Sequence, residues 1–191
     1  ADIQKRPGEK ILLSVANLIE RKGIQHVILA LKDLLKGHDK IKYIVIGDGL
    51  YRPALESLVD ELDLVQHVDF LGQKSHRATM RYMAACDVFI LPSWDEAFGI
   101  EYLEAMANGK PVIGCRGEGI EEFVVDGETG YLVKSQDVDD LVNVLDDLLD
   151  DPHKGIQAGK NAQNHVLTNY TWEMNARRTI ELYREIIADL S

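Results

Sequence analysis

The 191 residues suffice for one well-filled core, since domains of about 150 residues already bury about two-thirds of the surface their unfolded chains expose. An apolar fraction of 46% excludes wholesale disorder. A net charge of −11, from 21 basic against 32 acidic residues, repels phosphate backbones and anionic lipid, so nucleic acid and membrane surfaces are not expected partners.

The sequence opens on Ala1 instead of Met and reads as a segment of a longer chain, with residues 1–8 as linker. Residues 11–16 are a six-residue apolar run, expected as a strand. Residues 23–35 then place Val27, Ile28, Leu31, Leu34 and Leu35 on one helical face. A second strand is expected at 41–46, closed by Gly47-Asp48-Gly49, with a helix over 52–62. A third strand at 68–71 precedes a helix at 77–85, and a fourth at 88–91 precedes a helix at 100–107. A fifth strand at 111–114, a short helix at 121–125 and a last strand at 131–133 complete the alternation.

The remainder reads as helices over 138–149, 154–167 and 172–190. In the last of these, Ala176, Ile180, Tyr183, Ile187 and Leu190 form a stripe which, with Trp172, predicts packing onto a core. The opposite face carries Glu173, Glu181, Glu185 and Asp189 instead of lysines, which argues against a helix lying on a membrane.

Apolar strands alternating with helices predict a Rossmann-like, doubly wound parallel sheet of six strands with right-handed crossovers. The main domain is expected over residues 9–170, with 171–191 as a C-terminal crossover helix. Cys86 and Cys115 lie beside apolar runs and read as inert core thiols, consistent with a reducing compartment. With no secretory leader and no apolar run near the ~20 residues a membrane span needs, the expected location is the cytoplasm.

Open α/β sheets bind ligands beyond the carboxyl ends of their strands, so the loops there carry the functional reading. After the first strand, Arg21 and Lys22 stand before a helix, either as an anion site or as a solvated helix start. Gly47-Asp48-Gly49 follows the second strand, and Arg52 falls where a dinucleotide fingerprint needs its third glycine. A tight turn is the better reading. After the fourth strand, Glu96 lies in a loop and Glu104 on the following helix. Eight helical residues span about 12 Å, so these carboxylates suit two ends of an extended ligand better than an acid/base pair. Between them the amides of Ala97, Phe98, Gly99 and Ile100 open a helix and can meet an anion. A carboxylate matches a vicinal diol, so hydroxyl–phosphate–hydroxyl outlines a nucleotide sugar. The plainer alternative has Glu96 capping the helix near Phe98.

Glu96 and Glu104 with seven residues between them, then Ala105-Met106-Ala107 and Gly109-Lys110-Pro111-Val112-Ile113, resemble the motif of retaining glycosyltransferases of the GT-B fold, family 4. The likeness extends to Arg21-Lys22-Gly23, Gly47-Asp48-Gly49, Val68 to Gly72, Ala85 to Ser93 and Asp126 to Val133. The resemblance implies one half of a GT-B fold, the half that holds a nucleotide-diphosphate sugar. It also implies transfer of a hexose-type sugar, with retention, to a glycan, lipid or small molecule. An acceptor-binding N-terminal domain is then a missing partner, any membrane attachment would come from it, and this half alone is not expected to turn over.

By the same resemblance Lys22 contacts the donor diphosphate, with Arg21 beside it, and Glu104 holds the ribose. Glu96 holds the transferred sugar, and Lys22 and Glu96 are the expected catalytic pair. Ala97, Phe98, Gly99 and Ile100 meet sugar and phosphates, and Gly72, Gln73 and Lys74 flank the base. No metal or cofactor is expected.

Three positions depart from the family pattern: Asn17 replaces an arginine, Ala97 a glycine, and Glu118-Gly119-Ile120-Glu121-Glu122 lacks a glycine and a proline of Gly-Gly-x-Pro-Glu. No role is assigned to that last loop. Two rivals remain: a GT-B synthase or phosphorylase sharing this half, and a non-catalytic signalling module built on Asp48 and Asp87. The second rival needs an acidic cluster after the first strand, where the chain has Arg21 and Lys22.

Overall fold

The computed structural model describes residues 5–189. Six parallel strands form one sheet: β1 (Lys10–Val15), β2 (Ile41–Ile46), β3 (Val68–Phe70), β4 (Val88–Ile90), β5 (Val112–Cys115) and β6 (Tyr131–Val133). Their order is β3-β2-β1-β4-β5-β6. β1 lies inside the sheet and is buried along its length between its end residues: Ile11, Leu12, Leu13 and Ser14. It pairs with β2 on one side (Leu13 opposite Ile44) and with β4 on the other (Leu13 opposite Phe89). The winding reverses between β1 and β4, and the loops leaving their carboxyl ends flank the resulting crevice.

The helices are α1 (Ile24–Leu34), α2 (Arg52–Glu61), α3 (His76–Ala85), α4 (Ile100–Ala107), α5 (Val138–Asp150), α6 (Pro152–Asn169) and α7 (Trp172–Asp189). α1 packs against α2 and α5, and α4 against α3 and α6. Helix starts follow local chemistry. Ser75 accepts from the Ala78 amide, Asp137 from Asp140 and Asp151 from His153. Asp151 and Pro152 thereby start α6 two residues earlier than predicted.

A polar stitch crosses the core: Ser14 Oγ donates to the Ile90 carbonyl and bonds Tyr43 Oη at 2.7 Å. Burial raises the Tyr43 hydroxyl above its ordinary range and pushes both free thiols, Cys86 and Cys115, up to about 12. Both cysteines are therefore neutral core residues near pH 7.

Two expectations need correction. The predicted helix at 121–125 is a 3₁₀ turn over Gly119–Glu122, and the start of the predicted helix at 23–35 is preceded by another 3₁₀ turn, Glu20–Lys22. The last helix does not dock on the core. Trp172 is 84% exposed, and Ala176, Ile180, Tyr183 and Ile187 are exposed as well. Leu190, the end of that predicted stripe, and residues 1–4 of the linker lie outside the described residues. No described helix is long and apolar enough to cross a membrane.

Candidate functional site at the strand crossover

The loops after β1 and β4 are stitched to each other along the crevice. The Trp94 amide donates to the Arg21 carbonyl at 2.9 Å, and the Arg21 guanidinium donates to the Asp95 carbonyl at 2.5 Å. The 3₁₀ turn ends at Gly23, where φ is +72° and a Cβ would sit 2.1 Å from the Pro92 carbonyl oxygen. Only glycine meets both the left-handed backbone and that close approach. His26 leans on the Trp94 ring with centroids 5.5 Å apart, and burial lowers its pKa, partly offset by Glu20.

This stitching brings Lys22 onto Glu96. The ammonium donates to Glu96 Oε2, and the two side chains retain only 11% and 14% exposure. Ser93 Oγ lies 3.4 Å from the same carboxylate oxygen and 3.1 Å from Tyr102 Oη, which itself donates to the Leu91 carbonyl. Burial holds the Tyr102 phenol well above its ordinary range, so it remains a neutral donor. Lys22 and Glu96, assigned by resemblance to different parts of a ligand, are thus ion-paired to each other.

Glu96 does not cap α4. The helix has no side-chain cap; it opens at Gly99, whose φ is +78° and whose added Cβ would lie 2.5 Å from the Tyr102 ring. The amides that begin α4 keep the positive end of the helix dipole open, flanked by exposed Ala97, Phe98 and Ile100. The loop after β5 holds this segment from behind. Glu118 Oε2 accepts from the Glu96 amide at 2.8 Å, and the Gly119 amide donates to the Glu96 carbonyl at 2.9 Å. A Cβ on Gly119 would lie 2.2 Å from the Ala97 carbonyl oxygen. The loop left without a role at first is the support of the glutamate loop.

Farther along, Glu104 Oε1 accepts from His76 Nε2 at 2.8 Å. Glu104 also opens, with Phe98, Ile100 and Leu103, onto a groove of ≈570 Å3 that reaches Tyr170 and Trp172. Gly72, at φ +66°, accepts the Gly47 amide at 3.0 Å, joining the loops after β3 and β2, and Gln73 and Lys74 are exposed beyond it. Asn17 is exposed at the mouth of β1, beside Gly49.

Asp48 accepts from its neighbour Gly49 and pairs with Arg52. Asp87 lies at the amino end of β4, away from the crevice, where it accepts from the Ile11 amide and from Lys5. The two aspartates of the signalling reading therefore do not share a site.

His76, Ser93, Tyr102, Glu118 and Gly119 escaped the sequence reading. His76, Glu118 and Gly119 act through partners more than twenty residues away, and Ser93 and Tyr102 through contacts within one loop and the helix after it. The one local signal was Gly119, a glycine in a loop at a carboxyl strand end.

The family profile described as glycosyl transferases group 1 matches residues 1–165. A D-inositol 3-phosphate glycosyltransferase from Corynebacterium urealyticum is 34% identical over 186 residues, covering 96% of this chain and 41% of that protein. A GDP-mannose-dependent α-(1-6)-phosphatidylinositol monomannoside mannosyltransferase from Mycolicibacterium smegmatis is 31% identical, covering 90% and 47%. The chain thus spans less than half the length of these relatives. Anabaena HepE, solved with UDP and glucose, superposes with a TM-score of 0.83 at 26% identity, covering 93% of this chain and 49% of that one. Sucrose-phosphate synthase from Thermosynechococcus elongatus gives 0.85 at 34% identity, covering 95% and 46%.

Proposed function

The chain belongs to the glycosyl transferases group 1 family, and from that premise we propose that it is the donor-binding half of a retaining glycosyltransferase. One observation carries the reading: Lys22, Glu96 and the uncapped start of α4 converge at the crossover between β1 and β4. A donor diphosphate over the first turn of α4 meets amide donors, the helix dipole and the Lys22 ammonium. These stabilise the charge that develops on the diphosphate as its bond to the sugar breaks, and they are in place beforehand. Glu96 accepts from hydroxyls of the transferred sugar, Glu104 from those of the ribose, and Gly72, Gln73 and Lys74 border the base. Binding is expected without a divalent cation. The largely exposed apolar face of α7 is where an acceptor-binding half would dock.

The carboxylates give the test. Glu104→Ala is expected to weaken a nucleoside diphosphate and its sugar conjugate alike, by about 1–3 kcal/mol. Glu96→Gln, which keeps the shape and an acceptor for Lys22, is expected to leave the bare diphosphate near wild type and weaken only the conjugate. Calorimetric titrations with UDP and UDP-glucose, and with GDP and GDP-mannose, read both effects. Equal weakening of both ligands by Glu96→Gln overturns this division of roles.

A further inference from the structure

We propose that His76 is a positioning residue for the nucleoside: its Nε2–H holds the Glu104 carboxylate ready for a ribose diol. This rests on the reading of Glu104 given above. The pair joins the first residue of α3 to the middle of α4 at 2.8 Å, and since a carboxylate only accepts, His76 is the donor.

The contact is one rung of a ladder between the two helices. His76 and Met80 stand four residues apart on α3, and Glu104 on α4 stands four residues before Asn108, which caps the end of that helix. Asn108 Nδ2 lies 3.8 Å from Met80 Sδ and donates to the Glu104 carbonyl at 2.8 Å. Residues so spaced share a helix face, so the register that joins Met80 to Asn108 also sets His76 against Glu104. The start of α3 is itself fixed. Ser75 Oγ accepts from the Ala78 amide at 3.4 Å, and the Ser75 carbonyl accepts from Thr79 Oγ1 at 3.2 Å.

The consequence for binding follows from the carboxylate's capacity. Its two oxygens offer about four acceptor positions, and His76 takes one of them. Enough remain for both hydroxyls of a ribose, so His76 and the diol can be bound together. An unrestrained glutamate on a helix surface would have to lose rotamer freedom as the nucleoside binds, and His76 removes that freedom in advance. With His76 at 72% and Glu104 at 28% side-chain exposure, the pair adds little to the stability of the fold. An effect on binding is therefore separable from one on folding.

The test titrates wild type, His76→Ala, His76→Gln and Glu104→Ala with UDP and GDP and with their 2′,3′-dideoxy counterparts, beside a melting curve for each protein. His76→Ala is expected to weaken the tighter ribonucleotide about three- to tenfold, the ordinary net worth of one hydrogen bond, with the dideoxy form and the melting temperature nearly unmoved. His76→Gln, whose amide can donate, is expected to regain most of the loss. If Glu104→Ala removes the preference for ribose but His76→Ala does not alter it, the role of His76 is overturned while that of Glu104 stands. If Glu104→Ala leaves the preference intact, the ribose assignment falls and the role of His76 falls with it.

Discussion

Lys22→Ala is expected to lower both stability and affinity, and the two losses can be separated. Removing the ammonium leaves the Glu96 carboxylate in a site where it retains 14% exposure, with Ser93 Oγ at 3.4 Å as its other side-chain partner. Breaking a buried ion pair from one side costs about 3–5 kcal/mol, and residual solvent contact puts this one near the lower end. A nucleoside diphosphate loses a charge-assisted donor as well, so affinity falls by a further 1.5–3 kcal/mol or about that range. The double substitution Lys22→Met with Glu96→Gln removes both charges at once. It is expected to recover most of the stability in a urea titration and none of the diphosphate affinity in calorimetry. Recovery of both would make Lys22 a purely structural residue; recovery of neither would mean that the packing around the pair, and not its charge, governs the loop.

Gly119→Ala is the second large effect, and it acts at a distance from any ligand atom. The new Cβ would lie 2.2 Å from the Ala97 carbonyl oxygen, 2.5 Å from its carbon and 2.8 Å from the Phe98 nitrogen, all of them backbone. No rotamer relieves such a clash, so residues 96–98 must move and the hydrogen bonds between the Glu96 backbone and residues 118 and 119 are strained with them. Overpacking of this kind costs about 1–3 kcal/mol in stability. Binding of a sugar nucleotide is expected to fall more than tenfold, because sub-ångström placement of donors decides their worth. Gly117→Ala is the control. It meets nothing within 4 Å but sits at φ +78°, so about 1–2 kcal/mol of backbone strain should appear with binding nearly intact. Comparable loss of binding in both variants would remove Gly119 from the support of the site.

Much of this was legible in the residues themselves. Apolar runs such as Ile11 to Val15 and Ile41 to Ile46, with amphipathic helices between them, point to a parallel sheet whichever ligand it serves, while the strand order that sets the crossover is a property of the folded chain. Lys22 could be picked out because a cation before a helix runs against its dipole, and Glu96 because seven residues separate it from Glu104. Their mutual ion pair could not, since 74 residues separate them and only folding brings the two loops together. The same holds for His76 with Glu104, and for Glu118 and Gly119 with residues 96–98, whose contacts join three different strand ends. The exposed stripe on α7 was misplaced for a related reason. An apolar periodicity states that a face will be covered, and says nothing of which part of the protein covers it.

The most direct test follows backbone amide signals of the uniformly labelled chain in EDTA while UDP-glucose and GDP-mannose are added in turn. The expected result is saturable movement of the Phe98, Gly99 and Ile100 amides with one of the two donors, accompanied by Gly72 and Gln73. If both donors leave those amides unmoved at millimolar concentration, or move only signals elsewhere, the crossover between β1 and β4 is not a donor site.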